Sequence, residues 1–300
     1  MRWIDAYFYQ PNFTQKLVSF TLLPLSLLYG IGSFVRRKCA RFYDFGIPIV
    51  SVGNLIAGGS GKTPFIIEVA KMYERAAIIS RGYKRTSKGL VLVSEWGNIQ
   101  VSQEEAGDEP YLIARELNNA SVIVCKNRIQ AIEKAKQMGA KVIFLDDGFR
   151  FNFAKLNIVL EPLLKPYFTL TLPSGIYREL PNALKEADLI VREGIDYTRE
   201  VHIESPSERM LLLTAIANPS RLDAFLPSVV GKITLNDHAQ FDKDALQKAM
   251  QEYNATSLLV TSKDEVKLLQ SGLKLSVMRL ELKIDSQVLK HIKGYIEKFK

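Results

Sequence analysis

Cysteine is scarce in this chain: among 300 residues only Cys39 and Cys125 occur. Two are too few for a disulfide framework or a cysteine-rich zinc site, so a reducing, cytosol-facing compartment is expected. There is no internal repeat and no low-complexity tract, so the fold is not assembled from repeated units. Acidic side chains are outnumbered 32 to 40, a net charge of +8. That excess points to an anionic partner without separating nucleic acid, a phospholipid surface and a phosphorylated substrate. Its position is more informative. Residues 1–50 hold Arg2, Lys16, Arg36, Arg37, Lys38 and Arg41 against only Asp5 and Asp44, so half of the excess flanks an apolar run. No recognised nucleic-acid module is present, and no nucleic-acid partner is expected. At 47% apolar residues the chain is not disordered, and its length allows one large core or two ordinary ones.

Charge is also missing from Leu17 to Val35, nineteen consecutive residues. That length just suffices to cross a bilayer, but Pro24, Gly30 and Gly32 interrupt the run, and Ser, Thr and Tyr dilute it. The early position and small-residue cleavage site of a signal peptide are absent. A helix lying in the interface fits better. Trp3, Tyr7, Phe8, Tyr9 and Phe13 lie beside it, and Arg36, Arg37, Lys38 and Arg41 are available for acidic headgroups. Residues 1–41 are therefore expected to form a membrane-associating helical segment, peripheral or monotopic.

Beyond it, short β-rich runs alternate with helical ones, the pattern of a parallel sheet with crossover helices. Strands are expected at 47–52, 76–80, 122–125, 142–145 and 158–160, with helices near 63–74, 104–118 and 127–138. A β-hairpin is expected from Leu90 to Val101, turning at Glu95-Trp96-Gly97-Asn98. A second series follows Arg209, with strands at 210–216, 229–235, 257–260 and 275–280. Helices are expected there near 218–226, 242–253, 263–270 and 286–299. Glu204-Ser205-Pro206-Ser207-Glu208 is the linker candidate. The expected fold is α/β: a P-loop NTPase-like parallel sheet with helices on both faces in lobe 42–206, a smaller second α/β lobe at 207–300, and an N-terminal apolar helix.

The strand Ile49-Val50-Ser51-Val52 runs through Gly53-Asn54-Leu55-Ile56-Ala57 into Gly58-Gly59-Ser60-Gly61-Lys62-Thr63, followed by Pro64 and a helical stretch. Strand, glycine loop and helix in this order suit a nucleoside triphosphate. Backbone N–H groups turn inward on the phosphates, the helix N-terminus adds partial positive charge, Lys62 reaches the β and γ phosphates, and Thr63 ligates Mg²⁺. One departure stands out, because Ile56 occupies a position where the strict pattern has glycine. A metal shell also needs a carboxylate at the end of a neighbouring strand, and Val142-Ile143-Phe144-Leu145 ends in Asp146-Asp147-Gly148. Positioning ATPases with a second lysine at the loop start are disfavoured by Ala57. The guanine-reading Asn/Thr-Lys-x-Asp element is lacking too, since Ser262-Lys263-Asp264-Glu265 reads better as a helix capping box.

Taken in order, the motifs resemble the tetraacyldisaccharide 4'-kinase family of lipid A biosynthesis. They are Ser51-Val52-Gly53-Asn54 with the loop, Ser80-Arg81-Gly82-Tyr83-Lys84-Arg85 and Glu105-Ala106-Gly107-Asp108-Glu109-Pro110. They continue with Leu145-Asp146-Asp147-Gly148-Phe149, Arg178-Glu179 and Ala217-Asn218-Pro219-Ser220-Arg221. Asp237-His238 with Phe241, and Lys263-Asp264 with Lys267-Leu268, complete the set. Departures are Arg150-Phe151 where the family usually has Gln-His, and a proline that comes one residue late, at Pro181.

The resemblance implies transfer of the γ-phosphate of ATP, with Mg²⁺, to the 4'-hydroxyl of an acylated disaccharide 1-phosphate at the cytoplasmic face of the inner membrane. It nominates Asp108 as the base that takes the hydroxyl proton, paired with His238, and gives Lys62 and Arg81 catalytic roles beside them. Gly58, Gly59, Ser60, Gly61, Lys62, Thr63 and Pro64 would hold the nucleotide, and Thr63, Asp146 and Asp147 the metal. Tyr83, Arg178 and Glu179 are assigned to the substrate. A lipid substrate also gives the apolar N-terminus a purpose, since the enzyme must meet it at the bilayer.

Overall fold

The computed structural model describes residues 3–58, 61–216, 219–236 and 241–299. Three helices come first: α1 (Trp3–Tyr9), α2 (Phe13–Thr21) and α3 (Leu23–Lys38). Then follow β1 (Ile49–Gly53), α4 (Lys62–Ala70), β2 (Ala76–Ser80), the hairpin β3 (Val91–Glu95) and β4 (Asn98–Ile99), α5 (Gln103–Ala106) and α6 (Asp108–Glu116). Next are β5 (Ser121–Val124), α7 (Arg128–Gln137), β6 (Val142–Asp146), β7 (Leu156–Glu161), β8 (Leu189–Arg192) and β9 (Tyr197–Glu204). The last elements are β10 (Met210–Thr214), β11 (Gly231–Thr234), α8 (Lys243–Glu252), β12 (Ser257–Thr261), α9 (Ser262–Glu265), β13 (Leu275–Ile284) and α10 (Ser286–Glu297). Short 3₁₀ helices cover Pro181–Glu186 and Pro219–Phe225. The chain divides into two compact units, each discontinuous in sequence. One is Met1–Lys62 with Lys141–Thr198 and Ile284–Lys300, the other Thr63–Ala140 with Arg199–Lys283.

In the first unit β1 is flanked by β6 and β7, and β7 by β8, all parallel. Strands of this kind are covered on both faces and read as unbroken apolar runs, which is why Ile49, Val50, Val52, Ile143, Phe144, Leu145 and Ile158 were recognisable and are all buried. The register sets Val52 opposite Asp146, so the chain leaves β1 beside the carboxylate that ends β6. Helix α10 buries Val288, Ile292 and Ile296, an i, i+4, i+8 stripe.

The N-terminal helices of this unit are inside out. They bury small or polar residues, Gln15 and Ser19 on α2 and Ser26, Gly30 and Ser33 on α3. Phe13, Leu17, Phe20, Leu27, Leu28 and Ile31 are exposed. The buried face is hydrogen-bonded to segment 171–179: Ser19 Oγ donates to the Ser174 carbonyl at 2.8 Å. The Ser174 N–H reaches Ser26 Oγ at 2.8 Å, and Thr171 Oγ1 donates to the Ser26 carbonyl at 2.6 Å. The single apolar helix expected from the sequence is broken at Leu22, where α2 and α3 meet at a 55° bend. Pro24, in the first turn of α3, has no N–H to continue the preceding helix. Among the described residues no single helix is long and apolar enough to cross a membrane.

In the second unit β2 and β5 are parallel, and β3 pairs antiparallel with both β5 and β4, the hairpin expected at Glu95–Asn98. A five-stranded sheet of order β11-β10-β12-β13-β9 follows, parallel from β11 through β13. Leu211, Leu213, Leu258, Val260 and Val277 form its core against α8 and the β11 region. The helix expected over 104–118 is two, separated by Gly107, and the one expected over 263–270 shrinks to the four residues of α9.

Candidate active site

In the first unit, Asn54 follows β1 and is buried. Its Oδ1 accepts hydrogen bonds from Lys62 Nζ at 3.1 Å and from Arg178 Nη2 at 2.6 Å. Arg178 also clamps Asp147 with both terminal nitrogens, each at 2.9 Å, and donates through Nε to the Ile56 carbonyl at 3.1 Å. A fork of this kind fixes geometry as well as charge. The non-glycine at position 56 has a physical reason. Ile56 is buried and bridges antiparallel to Tyr177, while the Ala57 N–H bonds to Ile176 and the Arg178 N–H to Leu55. Segment 55–57 is thus laced to 176–178, and that lacing delivers Arg178 to the loop.

Gly58 and Gly61 have φ of +101° and +84°, backbone that only glycine adopts readily. Gly59 and Ser60 lie outside the described residues. Asp147 also sits in the left-handed region, at φ +56°, where aspartate is better tolerated than most side chains. Burial alone would raise its pKa, but the Lys62 ammonium, the Arg178 hydrogen bonds and charge, and Arg150 together hold it down at about 2. Asp146, the last residue of β6, is buried. Glu179 is buried too, taking a 2.6 Å hydrogen bond from Ser33, with Arg150 and Arg36 at 3.6 and 3.7 Å. Arg150, where the family usually has glutamine, is therefore tied to Glu179, and Phe151 stacks on Phe153. Pro181 opens the 3₁₀ helix Pro181–Glu186.

In the second unit, Thr63 and Pro64 lie in the first turn of α4, which starts at Lys62, and both are partly exposed. Asp108 opens α6. The preceding Gly107 has φ +87°, and a Cβ there would lie 3.0 Å from the Tyr83 carbonyl, so no other residue fits without strain. Gln103 Nε2 donates to Asp108 Oδ1, and Lys267 Nζ lies 3.4 Å from Oδ2, with both Asp108 and Lys267 side chains nearly buried. At the start of a helix the carboxylate also gains from the macrodipole. Asp264, close to Lys267 in sequence, is fully buried and accepts from Thr261 Oγ1 at 2.8 Å, Thr214 Oγ1 at 3.0 Å and the Ala215 N–H at 3.2 Å. Burial pushes its pKa upward, opposed by these bonds and by Lys267.

The loop carrying Arg81 and Tyr83 is drawn to the same place, since Thr86 and Ser87 bond to the Glu104 and Glu105 carbonyls. Arg81 and Tyr83 themselves are exposed. His238, expected beside Asp108, lies outside the described residues. Asn54 and Lys267 were the residues missed: both stand in recognised motifs, but their partners come from distant sequence. Among the described residues no three His, Cys, Asp or Glu side chains cluster in a way that could hold a metal ion.

Residues 18–297 match the tetraacyldisaccharide-1-P 4'-kinase family. The chain belongs to the tetraacyldisaccharide-1-P 4'-kinase family. It is 55% identical to a tetraacyldisaccharide 4'-kinase of Helicobacter pylori strain ATCC 700392 / 26695 over 294 residues, covering 98% of this chain and 94% of that protein. A tetraacyldisaccharide 4'-kinase of Aliarcobacter butzleri is 46% identical, covering 99% and 98%. The fold is also that of LpxK from Aquifex aeolicus, crystallised in complex with ATP: TM-score 0.76, 26% identity, 94% of this chain and 99% of that one. Both the large parallel-stranded α/β architecture and the N-terminal helices agree with this kinase family.

Proposed function

We propose that the chain transfers the γ-phosphoryl group of ATP to the 4'-hydroxyl of a tetraacyldisaccharide 1-phosphate, working at a lipid surface. The observation that carries this reading is the meeting at the end of β1 of Asn54, Lys62, Arg178 and Asp147, beside Asp146 of the adjoining strand. A strand, a glycine loop with positive φ, a lysine at the helix start and carboxylates ending the neighbouring strand together suit nucleotide phosphates. The names of the relatives and the ATP held by the Aquifex protein support the same reading.

In this reading the acceptor oxygen attacks the γ phosphorus, an O–P bond forms, and the bond to the ADP oxygen breaks. The hydroxyl proton passes to Asp108, held as an acceptor by Lys267 and Gln103, with His238 its partner by family resemblance. Lys62 moves from Asn54 to the phosphates, and Arg178 keeps Asp147 and the loop in register. With both oxygens of Asp147 held by Arg178, Asp146 is the carboxylate that would hold Mg²⁺; its hard oxygen donors suit the ion, which would supply charge neutralisation on the transferring group. Arg81 and Tyr83, exposed beside the start of α6, suit contacts to an anionic acylated sugar.

The outward apolar face of α2 and α3 supports residence on the cytoplasmic face of the inner membrane. Burying a side chain such as Leu27 or Ile31 in lipid is worth about 1.5–3 kcal/mol, and Arg36 and Lys38 follow at the helix end for anionic headgroups. The test is incubation with γ-labelled ATP and the tetraacyldisaccharide 1-phosphate in mixed micelles. Label on the lipid at the 4' position is the expected result. ATP turnover with no labelled lipid would overturn the kinase reading.

A further inference from the structure

Helix α3 reaches Arg178 and Glu179 with a small buried side chain. Ser33, 5% exposed, has its Oγ 2.6 Å from Glu179 Oε2 and 3.3 Å from the Arg178 carbonyl. A hydroxyl donates a single proton, and the shorter contact to a carboxylate takes it. Glu179 is only 3% exposed, and its other oxygen has no hydrogen bond, only Arg150 and Arg36 at ion-pair distances of 3.6 and 3.7 Å.

A buried carboxylate so sparingly satisfied costs stability, and an apolar replacement would often be neutral or better. Its placement says what it does. The next residue back, Arg178, grips Asp147 and Asn54, and Asn54 holds Lys62. An unbroken series of contacts therefore runs from the helix whose outer face carries Leu27, Leu28 and Ile31 to the lysine of the phosphate loop.

We propose that Ser33 and Glu179 are positioning residues that couple the seating of α3 on a lipid surface to the Arg178–Asp147–Asn54 arrangement, so that lipid contact and nucleotide binding favour one another. This rests on the kinase reading for its purpose but not for its test. Coupling between two binding events is reciprocal and typically amounts to a factor of about 5–150. A hydrogen bond to a charged group is stronger than one between neutral groups, and a tenfold change needs only about 1.4 kcal/mol.

The experiment measures the affinity of the full chain for a non-hydrolysable ATP analogue with and without vesicles of phosphatidylethanolamine and phosphatidylglycerol. Wild type is expected to bind the analogue about fivefold or more tightly on vesicles. Ser33→Ala is expected to keep both vesicle binding and analogue binding but to lose the difference, and Ser33→Thr, which retains the hydroxyl, to recover it. Should Ser33→Ala fail to fold, Ser33→Cys carries the same comparison, since it nearly keeps the shape and replaces the hydroxyl by a far weaker donor. No difference in wild type, or an undiminished one in Ser33→Ala, overturns the proposal; a lower urea midpoint alone does not rescue it. If the coupling holds but no lipid is phosphorylated, the kinase reading fails while the coupling stands.

Discussion

Lys267 holds its ammonium 3.4 Å from the carboxylate of Asp108, and the two side chains are 7% and 11% exposed. Taking one member from a nearly buried pair costs the other a charged partner, at most about 3–5 kcal/mol. Lys267→Met is therefore expected to lower the urea midpoint strongly, and Asp108→Asn to cost less in that background than in wild type. A wild-type midpoint would show that the pair contributes nothing to stability.

The grip on Asp147 sets a pH dependence. Its folded pKa of about 2 lies below the ordinary 3.8, so the stability it contributes is complete above about pH 4 and disappears as pH falls toward 2. The side chain is 34% exposed, so screening reduces the contribution to roughly 1–2 kcal/mol. Urea melts of wild type and Asp147→Asn, which also tolerates the left-handed backbone, should converge at the acid end of a pH 2–7 series. A gap that stays constant to the lowest pH would contradict the assignment.

Lys155 behaves in the opposite sense. Burial, aided by the charge of Arg37, lowers its pKa from 10.5 to about 7, while its ammonium donates to the Phe151 carbonyl at the edge of a cavity of about 480 Å³. The folded state disfavours the charged form, so the penalty is full below pH 7 and relieved as pH rises toward 10. Lys155→Met should stabilise by roughly 1–3 kcal/mol at pH 6 and by less at pH 9. A thermal melt in which the variant gains nothing at pH 6 refutes this.

How much could be read in advance follows from contact distance along the chain. The apolar runs of β1, β2, β5 and β6 cover themselves, and the glycine loop and its lysine are contiguous, so both were legible. Arg178 reaches Asn54 across 124 residues of sequence, and no local pattern announces that. Strand β9 escaped because its exposed alternate residues, Thr198, Glu200, His202 and Glu204, are polar and Arg199 stands on the other face, leaving little apolar signal. The α2–α3 break was half legible: Pro24 was noted, but the small polar stripe of Ser19, Ser26 and Ser33 becomes meaningful only once segment 171–179 is seen against it.

The exposed face of those helices gives a partition test. Leu27→Asp with Ile31→Asp should reduce binding to phosphatidylglycerol-containing vesicles by at least tenfold, given about 1.5–3 kcal/mol per buried aliphatic side chain. The fold should be untouched, because both positions face outward. Co-sedimentation reads the result, and unchanged binding would place the lipid contact elsewhere.

The most direct test of the whole account is the rate of label transfer from γ-labelled ATP to tetraacyldisaccharide 1-phosphate by wild type, Lys62→Ala and Asp108→Asn side by side. Wild type should phosphorylate the lipid, and both variants should fall by about a hundredfold or more while remaining folded. Lys62→Ala working at the wild-type rate would contradict it outright.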